Sequence, residues 1–199
     1  MSLYNLYVCA RRTGFACIVA FFLSANFPLS DATILAGQSP TEYQVKAAFL
    51  FNFLKFVEWP EDMAANPHEK WVIGFIGDSP IGGELAQLIE RKSVLGRDLQ
   101  VKRFQASVNL RACNILFISE SEKKHLLPIL AELRGSTVLT VADMDKFVGS
   151  GGMVQFVVED ARIRLDIDVA ATSHARLKIS SKLLSLARVT AGAGRGVNN

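Results

Sequence analysis

The sequence predicts an α/β protein: a mixed, largely parallel sheet covered by helices on both faces, with a C-terminal antiparallel hairpin. Three observations predict it. Continuous apolar runs such as Trp71 to Gly77 and Asn114 to Ser119 read as strands buried on both faces. Amphipathic helical segments separate them, as parallel strands require. Finally, Met153 to Val158 and Arg162 to Val169 are two strand-like runs joined by the short turn Glu159-Asp160-Ala161.

The first long element is a helix over Pro40 to Val57. Ser39 is placed to cap it, Pro40 suits the first helical position, and Glu42 sits where a capping box needs a carboxylate. Trp59-Pro60 ends it, because the residue before a proline is pushed out of the α region. At 100° per residue, Val45, Phe49, Leu50, Phe53, Leu54, Phe56 and Val57 cover more than half of the circumference, which predicts a mostly buried helix. Lys46 falls on the apolar side. It either pairs with Glu42 four residues earlier or extends past the first turn to water.

Downstream, the strand at Trp71 leads through Asp78-Ser79-Pro80 into a helix over Ile81 to Arg91. Leu99 to Phe104 alternates as a strand, Asn114 to Ser119 is fully apolar, and Glu120 to Leu133 reads as a helix stopped by Gly135. A strand at Thr137 to Val141 precedes a small helix at Asp143 to Val148. After the hairpin come helical pieces at Ala170 to Ala175 and Ser181 to Val189, then a glycine-rich tail from Thr190 to Asn199 expected to be mobile.

The chain has 199 residues, enough for one domain plus a targeting segment. Residues 1–36 read as a signal peptide: Arg11-Arg12 flank the apolar run Phe15 to Leu23, and small residues suited to cleavage follow at Ser30, Ala32 and Ala36. An uncleaved anchor is the alternative. Residues 37–189 then form a single domain and 190–199 a tail. Cleavage removes Cys9 and Cys17, leaving Cys113 as the only thiol, so no internal disulfide is expected in the mature chain. The run that Cys113 opens is apolar, which favours a buried cysteine over a reactive one.

Composition excludes some functions. Half of the residues are apolar, and the formal charge of +3 comes from 22 Lys and Arg against 19 Asp and Glu without a basic run, so nucleic-acid binding is unsupported. Gly77 to Gly82 has phosphate-loop glycine spacing after a strand, but Gly83-Glu84 replaces the lysine and hydroxyl residue that bind phosphate and magnesium. Ser79 nearly fits a nucleophile elbow, yet Pro80 removes the N–H that would build an oxyanion hole. His68, His125 and His174 are isolated, so no metal and no cofactor is expected. Asp143 with Asp145, and Glu159 with Asp160, belong to a helix start and a turn. No catalytic constellation emerges. A ligand crevice near Gly77 to Gly83, at the carboxyl ends of the strands, is an alternative.

The run Glu42 to Pro60, EYQVKAAFLFNFLKFVEWP, resembles the opening helix of the YfiR family of periplasmic α/β proteins. Ile76 to Pro80, Cys113 to Ser119, Gly151-Gly152-Met153 and Leu177 to Leu184 complete the resemblance, which spans about Thr41 to Arg188. It implies a periplasmic regulator and not an enzyme. The family's namesake restrains an inner-membrane diguanylate cyclase, YfiN, by binding its periplasmic region, and an outer-membrane lipoprotein, YfiB, relieves the restraint. Cyclic di-GMP, exopolysaccharide and biofilm follow. Family members also serve other membrane sensors, including histidine kinases. The namesake's disulfides do not carry over to a chain with one mature cysteine. Expected partner contacts are Lys46, Asn52, Lys55 and Trp59 at the first helix, and Lys178, Ser180 and Lys182 near the end. Hydrophobic residues on the hairpin permit a homodimer without demanding one.

Overall fold

The computed structural model describes residues 40–61, 69–105 and 109–190. The expected signal peptide, Ser39 and the tail beyond Thr190 lie outside the described residues. The first helix, α1, spans Glu42–Phe56. Thr41, not Ser39, is its cap: Thr41 Oγ1 accepts from Gln44 N at 3.3 Å, and Gln44 Oε1 accepts from Thr41 N at 3.0 Å. Both Ser39/Glu42 and Thr41/Gln44 have capping-box spacing. Starting at Thr41 leaves Pro40 outside and frees the Glu42 carboxylate to meet Lys46.

Residues Leu50, Phe53 and Leu54 of α1 are buried as the periodicity predicts, while Phe51 and Ala47 are buried in addition and Val45, Phe49 and Phe56 are only partly so. The helix stops one residue early. Val57 turns extended, and Val57–Glu58 forms a short strand, β1, paired antiparallel with β9, Lys178–Ile179. Neither two-residue strand has a signal of its own; each exists because the other is there.

The main sheet contains β2 (Trp71–Ile76), β3 (Ser93–Val94), β4 (Arg97–Phe104), β5 (Ile115–Ile118), β6 (Leu139–Ala142), β7 (Val154–Glu159), β8 (Arg162–Asp168) and β10 (Ala187–Thr190). Their order is β10-β8-β7-β6-β5-β2-β4-β3. The strands from β4 through β2, β5 and β6 to β7 run parallel, and β7 and β8 form the expected antiparallel hairpin. Asp160 and Ala161 make its two-residue turn, both at positive φ, which matches the twist of the flanking strands.

Alternation along the central strands feeds two cores. Ile73, Phe75, Ile115, Phe117, Leu139 and Val141 face α1 and α2 (Ile81–Ile89). Ile76, Leu116, Ile118 and Ala142 face the other way, toward Leu110, Phe147 and α3 (Leu126–Glu132). On that side Gly74 has no room for a side chain: a Cβ would sit 2.6 Å from the Phe104 ring and 3.2 Å from Cys113 Sγ.

Three expected helices are corrected. Glu120 to Leu133 is not one α-helix. Glu120–His125 winds as a 3₁₀ helix and α3 begins at Leu126, because Pro128 is tolerated in a first turn but would clash with the carbonyl of Lys124 inside a longer helix. The small helix at Asp143 to Val148 is a turn followed by a 3₁₀ segment at Val148–Ser150, with Lys146 at positive φ. Helix α4 is Val169–His174, and α5, Ser181–Leu184, is far shorter than the expected Ser181 to Val189. Its second half is instead β10, lying parallel to β8 with Ala187 opposite Leu165 and Val189 opposite Ile167.

Candidate partner-binding surface

Lys46 does not reach solvent. It is 3% exposed, and its ammonium lies 2.5 Å from Glu42 Oε1 and 2.8 Å from Asp143 Oδ2. Burial by itself would lower the Lys46 pKa, but hydrogen bonds and charge from Asp143 and Glu42 outweigh it and hold the group above the ordinary lysine value. Asp143 follows β6, so this ion pair fastens the first turns of α1 to the carboxyl edge of the sheet. The sequence shows the Glu42 half of this arrangement by its i, i+4 spacing; Asp143, 97 residues away, carries no such signal.

The other expected contact residues gather around the far end of α1. Ser180 N donates to Phe56 O at 2.9 Å, and β9 pairs with β1 so that Lys178 stands opposite Glu58. Ser180 also caps α5, its Oγ accepting from Leu183 N at 3.3 Å. Both polar groups of Ser180 therefore serve the fold. Lys182, in the same short helix, holds its ammonium 5.2 Å from the centre of the Phe56 ring. Lys55 holds its own 4.2 Å from the centre of the Phe51 ring, and Asn52 lies partly buried on the same helix.

Trp59 is partly buried. Its Nε1 donates to Leu54 O at 3.3 Å, closing the end of α1, and its ring lies 5.4 Å from that of Trp71. Trp71 is itself buried, donates from Nε1 to Val94 O at 3.0 Å, and carries the Arg97 guanidinium 4.0 Å above its ring. Lys55, Lys178 and Lys182 are exposed, and none has a carboxylate within ion-pairing distance among the described residues. The structure thus brings Lys178, Ser180 and Lys182, late in the sequence, to the carboxyl end of α1. What can be read locally is the Phe51/Lys55 pair at i, i+4; the joining through β1 and β9 cannot.

At the Gly77 end of the crevice near Gly77 to Gly83, the chain makes its own close contacts. Chain order reverses between β2 and β5, the place where open α/β sheets commonly hold ligands. There Asp78 N donates to Ser121 Oγ at 2.9 Å, Ser119 Oγ donates to Asp78 O, and Arg103 reaches both Gly77 O and the Asp78 carboxylate. Gly77, at φ +85°, has Ser121 Oγ 2.5 Å from where a Cβ would be. These contacts leave little space for a ligand at that point. Ser79 Oγ accepts from Ile81 N at 3.3 Å, a turn contact and no nucleophile's arrangement.

Cys113 is buried, its Sγ donating to Leu110 O at 3.1 Å, and burial pushes its pKa up to about 12. A neutral, enclosed thiol is a poor nucleophile at neutral pH. Among the described residues, no group of three or more His, Cys, Asp or Glu is arranged to hold a metal. No helix among them is long and apolar enough to cross a membrane.

No protein of curated function matches the chain in sequence. The family model described as YfiR/HmsC-like matches residues 43–188, well over half of the chain, from the second residue of α1 to the second of β10. The matched stretch holds both cores, the Lys46–Asp143 ion pair and the lysines around the end of α1. The chain belongs to the YfiR/HmsC-like family.

Proposed function

We propose that the protein is an exported regulator that binds the periplasmic sensor region of an inner-membrane diguanylate cyclase and restrains it, lowering cyclic di-GMP. A YfiB-like outer-membrane lipoprotein would relieve the restraint by sequestering the regulator. Family membership supports the regulatory role and the periplasmic location. The single observation that carries the binding reading is that Lys55 and Lys182, exposed and without an acidic partner among the described residues, are each held over a phenylalanine ring of α1. Long, solvated side chains have little reason to converge there for stability, and charge complementarity steers and orients partners.

The contact residues are then Lys55, Trp59, Lys178 and Lys182, with Asn52 beside them, whereas Lys46 and Ser180 hold the surface in shape. The test is the cellular cyclic di-GMP level after deletion of the gene, measured beside a strain whose candidate cyclase is catalytically dead. A rise that vanishes in the dead-cyclase strain is expected. An unchanged level would overturn the reading in favour of a different membrane sensor, such as a histidine kinase.

A further inference from the structure

Phe51 is buried at the seam of α1 and α2, yet two ammonium groups converge on its ring. Lys55 Nζ lies 4.2 Å from the ring centre, and Lys92 Nζ, from the segment after α2, lies 5.4 Å from it. Both lysines are exposed, and among the described residues neither has a carboxylate within ion-pairing distance. Like charges brought to one ring repel each other, so solubility alone would favour spreading them. Two cations oriented in advance on a buried ring are instead suited to receive carboxylates, with little further ordering on binding.

Three residues after Lys92, the chain turns tightly at Leu95-Gly96 between β3 and β4. Leu95 is 74% exposed and sits at φ +53°, a left-handed conformation that glycine or asparagine adopts more readily. A large apolar side chain is unfavourable there on both counts. The turn is also firmly based: Val94 is buried, its carbonyl accepts from Trp71 Nε1, and Arg97 stacks on the same indole. Trp59, just after α1, packs against the same indole, its ring 5.4 Å from that of Trp71.

We propose that Lys55, Lys92 and Leu95 form a docking surface for an acidic polypeptide segment, whose carboxylates meet the two ammonium groups while an apolar side chain covers Leu95. The inference rests on the regulatory reading above in one respect: the segment then belongs to the exported part of the membrane sensor. An anionic membrane is the poorer fit. Lipid recognition draws on clusters of about four to eight basic residues, whereas two ammonium groups meet on this ring.

The test places the photocrosslinker p-benzoylphenylalanine at Leu95 of the full exported chain in intact cells, with the exposed Leu127 on α3 as the control position. Mass spectrometry identifies what is captured. The expected product is a peptide of another protein, bearing net negative charge around the crosslink, and Lys55→Glu/Lys92→Glu lowers its yield at least tenfold without altering the melting temperature. If charge reversal disturbs folding, Lys55→Gln/Lys92→Gln keeps the aliphatic stems on Phe51 and still lowers the yield several-fold. Capture of phospholipid, of a second copy or of a segment without net negative charge would overturn the proposal, as would no adduct or an unchanged yield. Capture of an acidic segment from a protein that is not a membrane sensor would support the docking surface while overturning the proposed function.

Discussion

The two ends of α1 treat their lysines in opposite ways. At the amino end Lys46 is buried and held by Glu42 and Asp143. At the carboxyl end Lys55 and, on the neighbouring short helix α5, Lys182 are exposed over phenylalanine rings of α1 with no acidic partner among the described residues. The sequence writes all three as lysines near aromatic residues. The surroundings separate them: a cation enclosed with its counter-ions belongs to the fold, while cations exposed without counter-ions remain open to the proposed partner.

The largest effect should come from the stretch both ends share. Phe53 is fully buried and lies against Phe49 and Phe156, so Phe53→Ala should cost about 3–5 kcal/mol of global stability. Urea denaturation measures it. A cost below about 1 kcal/mol, within the range of surface substitutions, would mean that α1 is not fastened as described.

Lys46→Met comes next. It leaves Asp143 without its cation, but the Asp143 side chain is 20% exposed and Glu42 46%, so water recovers part of the loss. The expected cost is about 2 kcal/mol, below the full range for a broken buried pair. Stability equal to that of the wild type would erase the distinction between the two ends.

The same ion pair predicts a response to alkali. Because the folded Lys46 pKa is raised, its contribution is fully present below the ordinary unfolded value of about 10.4 and is lost as pH rises through the folded value. Cys113 acts in the same direction from about 9 toward about 12, since the unfolded thiol ionises first. Thermal melts should therefore fall steadily above pH 9, and Lys46→Met should flatten the part of that fall above pH 10. A Lys46→Met chain with an undiminished fall there would remove Lys46 as its cause.

The smallest effect on stability should accompany the largest on binding. Lys55→Glu and Lys182→Glu alter exposed side chains whose ring contacts are worth about 0.5–1 kcal/mol each at such sites, so melting temperatures should barely move. Calorimetric titration against the sensor's periplasmic region should nonetheless show affinity lowered at least tenfold by either change. Unchanged affinity would remove that lysine from the surface.

How much of this was legible in the sequence follows from the range of the interactions. The apolar face of α1 is a local pattern, and so are the buried runs of β2 and β5. Pro128 contains a local instruction that the longer helical pattern around it obscured. The spacing of Leu183, Leu184 and Leu186 predicts that the helix at Ser181 continues through the residues of β10. Only its pairing with β8, more than twenty residues away, makes Ala187–Thr190 extended. The site divides in the same way. Lys55 and Phe51 are four residues apart on one helix, but Asp143 meets Lys46, Lys92 meets Phe51, and β9 meets β1 only after folding.

If Lys55 and Lys182 restrain the cyclase as proposed while Lys46 only holds the fold, reversing the charge of the first two should release it. The most direct measurement is cyclic di-GMP in the deletion strain complemented with the Lys55→Glu/Lys182→Glu chain, at periplasmic levels matched to the wild type. Cyclic di-GMP as high as in the uncomplemented deletion is expected. Restoration to the wild-type level would contradict the proposal.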